Sequence, residues 1–121
     1  MSVDSRLHVY VCKILGVIDG DTVKVNIDLG FNCWLNNVSV RLNNFNAPET
    51  RTKNLAEKAK GLASKARLQE LLPVGSNQII KTYLDDKYGR ILGDFLLLQE
   101  TVSDLLIREG FGQPYDGKSK L

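Results

Sequence analysis

The sequence predicts an α+β domain that is mainly β, with the order three strands, helix, two strands, helix. Three observations predict it. Short β-branched runs alternate in period two on either side of Asp19-Gly20-Asp21, a single long segment switches to helical spacing between Asn54 and Leu72, and two further strand-like runs flank the polar turn Asp85-Asp86-Lys87-Tyr88-Gly89.

The first strand is read over Leu7–Ile18, where β-branched and apolar residues recur with partial alternation. It breaks at Asp19-Gly20-Asp21, and Asp-Gly is among the strongest turn signals. Thr22–Ile27 alternates again, with Val23, Val25 and Ile27 on one side and Lys24 and Asn26 on the other, so the two runs form a hairpin. The following DLGFNCWLNN, rich in asparagine and large apolar groups, is read as a long hairpin connection whose Phe31 and Trp34 fold back onto the body. Val38, Val40 and Leu42 then mark a third strand.

The main helix is expected over Asn54–Leu72. Leu55, Ala59, Leu62, Ala63, Ala66 and Leu71 recur at helical spacing as its apolar face, Glu57, Lys58, Lys60, Lys65 and Arg67 fill the other, and Pro73 with Gly75 ends it. Gln78–Leu84 and Arg90–Leu98 read as strands four and five. Val102–Arg108 is a short amphipathic helix stopping at Gly110. This order is that of the five-stranded OB-fold barrel, with one main helix after strand 3 and a short helix after strand 5, a fold whose strand face and loops often bind nucleic acids.

At 121 residues, with 43% hydrophobic and 25% charged residues, residues 1–121 form one domain with one core, and the polar, turn-rich tail from about residue 112 is expected to be mobile. A net charge of +2 permits a polyanionic partner without demanding one, so any such binding must come from local clustering. The N-terminal residues carry Asp4 and Arg6 and no long apolar run, which argues against a secretory signal or a membrane partner and for a cytoplasmic protein. In that setting Cys12 and Cys33 are expected as free thiols.

Four segments carry the candidate chemistry. Asp19-Gly20-Asp21-Thr22 taken alone is a turn, and DDKYGR taken alone is a solvated charged turn. Arg41 stands at the end of a strand, with Asn43, on the face opposite Val40 and Leu42, where a guanidinium can grip a phosphate through two parallel hydrogen bonds. Asn46-Ala47-Pro48-Glu49 follows it. Two arginines (Arg41, Arg90), an aspartate (Asp21) and a glutamate (Glu49), each at a strand end or turn, are the inventory of phosphodiester hydrolysis: cations for the transition-state charge and a carboxylate to orient or deprotonate water.

Taken in order, VIDGDTVKV, VRLNNFNAPET, DDKYGRILGDF and VSDLLIREGF resemble the signature segments of the thermonuclease, or micrococcal (staphylococcal) nuclease-like, family, from about Tyr10 to Phe111. The resemblance implies an OB-fold, Ca²⁺-dependent phosphodiesterase acting on DNA and RNA, preferring single strands and leaving 3′-phosphate ends. It implies that Asp21 is a metal ligand, that Asn46 stands where the family has a second aspartate ligand, that Ala47 offers its backbone carbonyl, and that Asp19 lies in the outer shell. Arg41 and Arg90 match the transition-state arginines and Glu49 the general base or water-positioner. Lys87 and Tyr88 match nucleotide-phosphate contacts, and Tyr115 a base-stacking tyrosine.

The chain departs from the family pattern in its longer first hairpin, in its end soon after Tyr115, like the short leaderless members of bacteria and their phages, and in Asn46. An asparagine still offers an oxygen to calcium but removes one negative charge. The expectation is therefore a monomeric nuclease of DNA or RNA, with no protein partner implied, whose metal site is weakened. The alternatives are a catalytically silent OB-fold module binding single-stranded nucleic acid, or an interaction domain that docks a partner through Phe31 and Trp34.

Overall fold

The computed structural model describes residues 8–85 and 90–114. Its elements are β1 (Val9–Asp19), β2 (Thr22–Gly30), β3 (Cys33–Leu42), α1 (Leu55–Leu71), β4 (Asn77–Asp85), β5 (Ile91–Leu96) and α2 (Val102–Arg108). The strands close into a barrel in the order β1-β2-β3-β5-β4, with β4 returning to β1. All pairings are antiparallel except β3 with β5, which matches Val40 to Ile91, Arg41 to Leu92 and Leu42 to Gly93. This is the expected OB-fold-like architecture. Among the described residues no helix is long and apolar enough to cross a membrane.

Alternation along the strands makes the core. Cys12 and Ile14 from β1, Val23, Val25 and Ile27 from β2, Val40 and Leu42 from β3, Ile80 from β4 and Phe95 from β5 meet inside the barrel, where period-two side chains of every strand face the same interior. Burial pushes the Cys12 thiol up to about 11, so it packs as a small apolar group. Cys33 is exposed at the far end of the β2–β3 hairpin.

That hairpin corrects one expectation. The segment after Ile27 is not a long connection folding back onto the body: β2 and β3 continue as paired strands through Asp28↔Trp34 and Gly30↔Cys33. They are joined by Phe31 and Asn32 alone, both left-handed at φ 57° and 62°, as a two-residue hairpin turn requires. Phe31 is 99% exposed and Trp34 47%. The asparagines that suggested a loop occupy the turn and a bulge, where Asn tolerates positive φ; the bulge shifts the β2–β3 register between Val25 and Ile27, and Asn37 has φ 58°.

Helix α1 is capped as its sequence asks. The Asn54 side chain accepts the Glu57 N–H at 3.1 Å, satisfying a donor the first turn leaves unpaired. Its buried face, however, is Gly61, Ser64 and Leu68, whereas Leu55, Ala59, Leu62, Ala63 and Ala66 are exposed. The apolar face read from periodicity is thus wrong apart from the half-buried Leu71. Small residues face inward because the helix lies directly on backbone: a Cβ on Gly61 would sit 2.7 Å from the Glu49 carbonyl oxygen and 2.8 Å from that of Pro48.

Helix α2 is held at its start by two acceptors. The Thr101 hydroxyl takes the Asp104 N–H at 3.2 Å, and Asp94 on β5 takes those of Ser103 at 3.1 Å and Phe95 at 3.0 Å. Asp94 is buried, and desolvation raises its pKa to about 6 even though these N–H donors pull it down. Beyond α2, Arg67 of α1 grips Glu109 at 2.7 and 3.1 Å; exposed, this pair adds little stability.

Candidate functional site

The site is built where the β1–β2 turn meets the loop that leaves β3. Thr22 pairs with Arg41 across β2 and β3, and the Asp21 carbonyl accepts the Leu42 N–H at 2.9 Å. The turn and the strand end are therefore locked side by side by backbone. Past Leu42 the chain reverses through Asn44, left-handed at φ 62°, and buries the Phe45 ring in the core.

This reversal encloses Arg41. Although it stands between Val40 and Leu42 on the opposite face, it is only 8% exposed, because the 43–47 loop covers that face. Its Nη1 donates to the carbonyls of Leu42, at 3.1 Å, and Phe45, at 2.5 Å. Its Nη2 donates to Asn46 Oδ1 at 3.1 Å and lies 3.6 Å from Asp21 Oδ2. The same Asp21 oxygen accepts the Ala47 N–H at 3.1 Å, and Asp21 Oδ1 accepts the Thr22 hydroxyl at 3.2 Å. A buried guanidinium requires acceptors of this kind, and both of its terminal nitrogens are engaged.

Asp21, Arg41, Asn46 and Ala47 thus come together as one connected cluster. Asp19 joins its edge, accepting the Thr50 hydroxyl at 3.2 Å. Glu49 is exposed on the same loop, with its backbone against α1 at Gly61. Arg90 precedes Ile91, the first residue of β5 and the partner of Val40, so its backbone enters beside the strand that carries Arg41. Lys87, Tyr88 and Tyr115 lie outside the described residues.

Three contributors escape a reading of sequence. Thr50 orients Asp19. Gln113 forms a two-bond bridge with Asn46, N–H to carbonyl at 2.8 and 3.0 Å in the two directions. Gly112 passes so close that a Cβ there would sit 2.5 Å from the Asn46 carbonyl oxygen and the Phe45 ring. The GQ pair after Phe111 carries no signal beyond a turn, because its partners lie far away along the chain.

Among the described residues no three His, Cys, Asp or Glu side chains come together as a metal cluster. The oxygens brought together there are the Asp21 carboxylate and the Asn46 amide, both against Arg41 Nη2, while Ala47 turns its N–H to Asp21. That chemistry fits a hard cation such as Ca²⁺, at low charge, and the Asn46 oxygen is shared with Arg41.

Comparison with curated proteins returns no match. The sequence model of the staphylococcal nuclease homologue family matches residues 39–120, a span that holds Arg41, Asn46, Ala47, Glu49 and Arg90. Asp19 and Asp21 precede that span, and the β2–β3 ladder delivers Asp21 to it. A match over well more than half of the chain, on a closed five-stranded barrel with its helices after strands 3 and 5, places this protein: it belongs to the staphylococcal nuclease homologue family.

Proposed function

We propose that this protein is a nuclease, a metal-dependent phosphodiesterase that hydrolyses single-stranded DNA or RNA and leaves 3′-phosphate ends, with a weakened calcium site. The observation that supports this most is the meeting of Asp21 with Arg41 and the 45–47 loop in a barrel of this family. Calcium, when bound, supplies positive charge against the phosphodiester oxygens. Asp21, Asn46 and the Ala47 carbonyl are the residues to hold it.

The chain's own groups divide the remaining work. Arg41 ties the loop to the β1–β2 turn through three hydrogen bonds and its ion pair with Asp21, and keeps a positive charge beside the site. Arg90 supplies the second cation, stabilising charge that develops on the phosphorus-bound oxygens. Glu49, exposed on the loop, orients and deprotonates the attacking water. Lys87 and Tyr88 contact a nucleotide phosphate, and Tyr115 stacks on a base.

One observation favours a second reading, a silent module that binds single strands: Asn46 is neutral and its oxygen already serves Arg41. Cleavage of plasmid and of a single-stranded oligonucleotide in millimolar Ca²⁺, against a chelator control, separates the two. The nuclease reading expects cleavage lost with chelator and reduced by orders of magnitude in Glu49→Gln and Arg90→Ala. Salt-sensitive binding without cleavage identifies the module instead.

A further inference from the structure

The β2–β3 arm combines exposed apolar side chains with an open strand edge. β3 pairs with β2 along its length but with β5 only at Val40–Leu42. Among the described residues no strand pairs with the other edge of Cys33–Ser39. Such an edge exposes a row of backbone donors and acceptors, and soluble proteins ordinarily protect it with lysine, proline or an inward charge. From Leu29 to Ser39 this chain has neither a charged residue nor a proline. The ladder to β2 shifts register before Val38 and again between Trp34 and Cys33, where Leu29 is the extra residue on β2, and the other edge of Cys33–Leu35 stays open.

The side chains there are apolar and in water. Phe31 is 99% exposed, Trp34 47%, Leu29 44% and Leu35 42%. Phe31 also sits at φ 57°, a conformation unfavourable for a bulky residue that glycine or asparagine would adopt freely. A strained, fully exposed phenylalanine gives the monomer nothing in packing.

We propose that this arm seats a second copy of the chain, the open edges of Cys33–Leu35 pairing across a two-fold axis so that Trp34 lies against the copy on one face of the joined sheet, Leu35 on the other, and Phe31 at the end of the seam. Several features favour a copy over another occupant. An uncharged strip offers nothing to a polyanion and carries no like charges to repel its own image. An open strand edge is self-complementary when turned antiparallel about a two-fold. The exposed apolar side chains amount to on the order of 400 Å² per copy. Edge pairing covers only part of that area on each copy, so the interface stays below the roughly 1,000 Å² at which specific interfaces begin, and the dimer is weak and concentration-dependent. The proposal does not depend on the nuclease reading.

Trp34 is the sole tryptophan, so its emission reports on the arm alone. Sedimentation equilibrium and fluorescence from about 1 µM to about 1 mM should show a monomer–dimer transition with a blue shift of Trp34 on the same curve. Phe31→Gly relieves the positive φ and removes no contact within the monomer; it should weaken the dimer about tenfold or more while leaving the melting temperature of the dilute monomer unchanged or higher. Leu35→Lys should abolish association. A monomer at every concentration overturns the proposal and leaves the arm to a different molecule, and a dimer unaffected by both substitutions overturns it equally.

Discussion

Replacing Gly61 by alanine sets helix propensity against tertiary contact. In the interior of α1, alanine gains about 1 kcal/mol over glycine. At this position, though, the new Cβ would sit 2.7 Å from the Glu49 carbonyl oxygen, 2.8 Å from that of Pro48 and 2.9 Å from the Glu49 carbonyl carbon. All three are backbone atoms, and Pro48 cannot swing aside as a flexible side chain does. Ordinary contact lies some tenths of an ångström further out, and overpacking of this kind costs about 1–3 kcal/mol. After subtraction of the propensity gain, Gly61→Ala should destabilise by about 1 kcal/mol and lower the melting temperature by roughly 5 °C. Urea unfolding and thermal melts measure this, and amide chemical shifts should change around residues 48–50 as α1 is pushed from the loop. Leu62→Ala, at an exposed position one residue on, should be close to neutral. A Gly61→Ala variant more stable than the parent would refute the close seating of α1 on the Glu49 backbone.

Asn46→Asp should tighten Ca²⁺ binding at least about tenfold by calorimetry, since ligand charge tunes such sites; the added carboxylate faces Arg41 Nη2, at 3.1 Å from the present oxygen, so the metal-free melting temperature should change little. No gain in calcium affinity would mean that residue 46 does not serve the metal. The pKa of Asp94 is raised to about 6 by burial, so folding favours its protonated form: its contribution to stability is full below about pH 4 and lost as pH rises through 6. Asp94→Asn removes that loss, and its stability relative to the parent should therefore grow between pH 4 and 7 by up to about 3 kcal/mol, then stay flat, in urea titrations at each pH. Gly112→Ala forces a Cβ against the Phe45 ring and the Asn46 carbonyl; it should destabilise by about 1–3 kcal/mol and raise amide exchange at Asn46, whose N–H bonds Gln113.

By itself the sequence determined the element order, the barrel and the family, because these depend on local signals: period-two alternation, a helical period ended by Pro73, Asp-Gly at a turn, and four motifs in order. It also named Asp21, Arg41 and Asn46 as neighbours, although what joins them, a guanidinium enclosed by the 43–47 loop, emerges only when β2 lies beside β3. Tertiary structure alone decided three matters. It chose which face of α1 is buried, since a helix seated on the Glu49 backbone needs Gly61 and Ser64 inward whatever its leucines suggest. It extended the β2–β3 hairpin to its tip, because cross-strand pairing continued where composition indicated a loop. And it brought Gln113 to Asn46, a pairing between residues 67 positions apart (113 − 46) for which only the folded barrel provides the register.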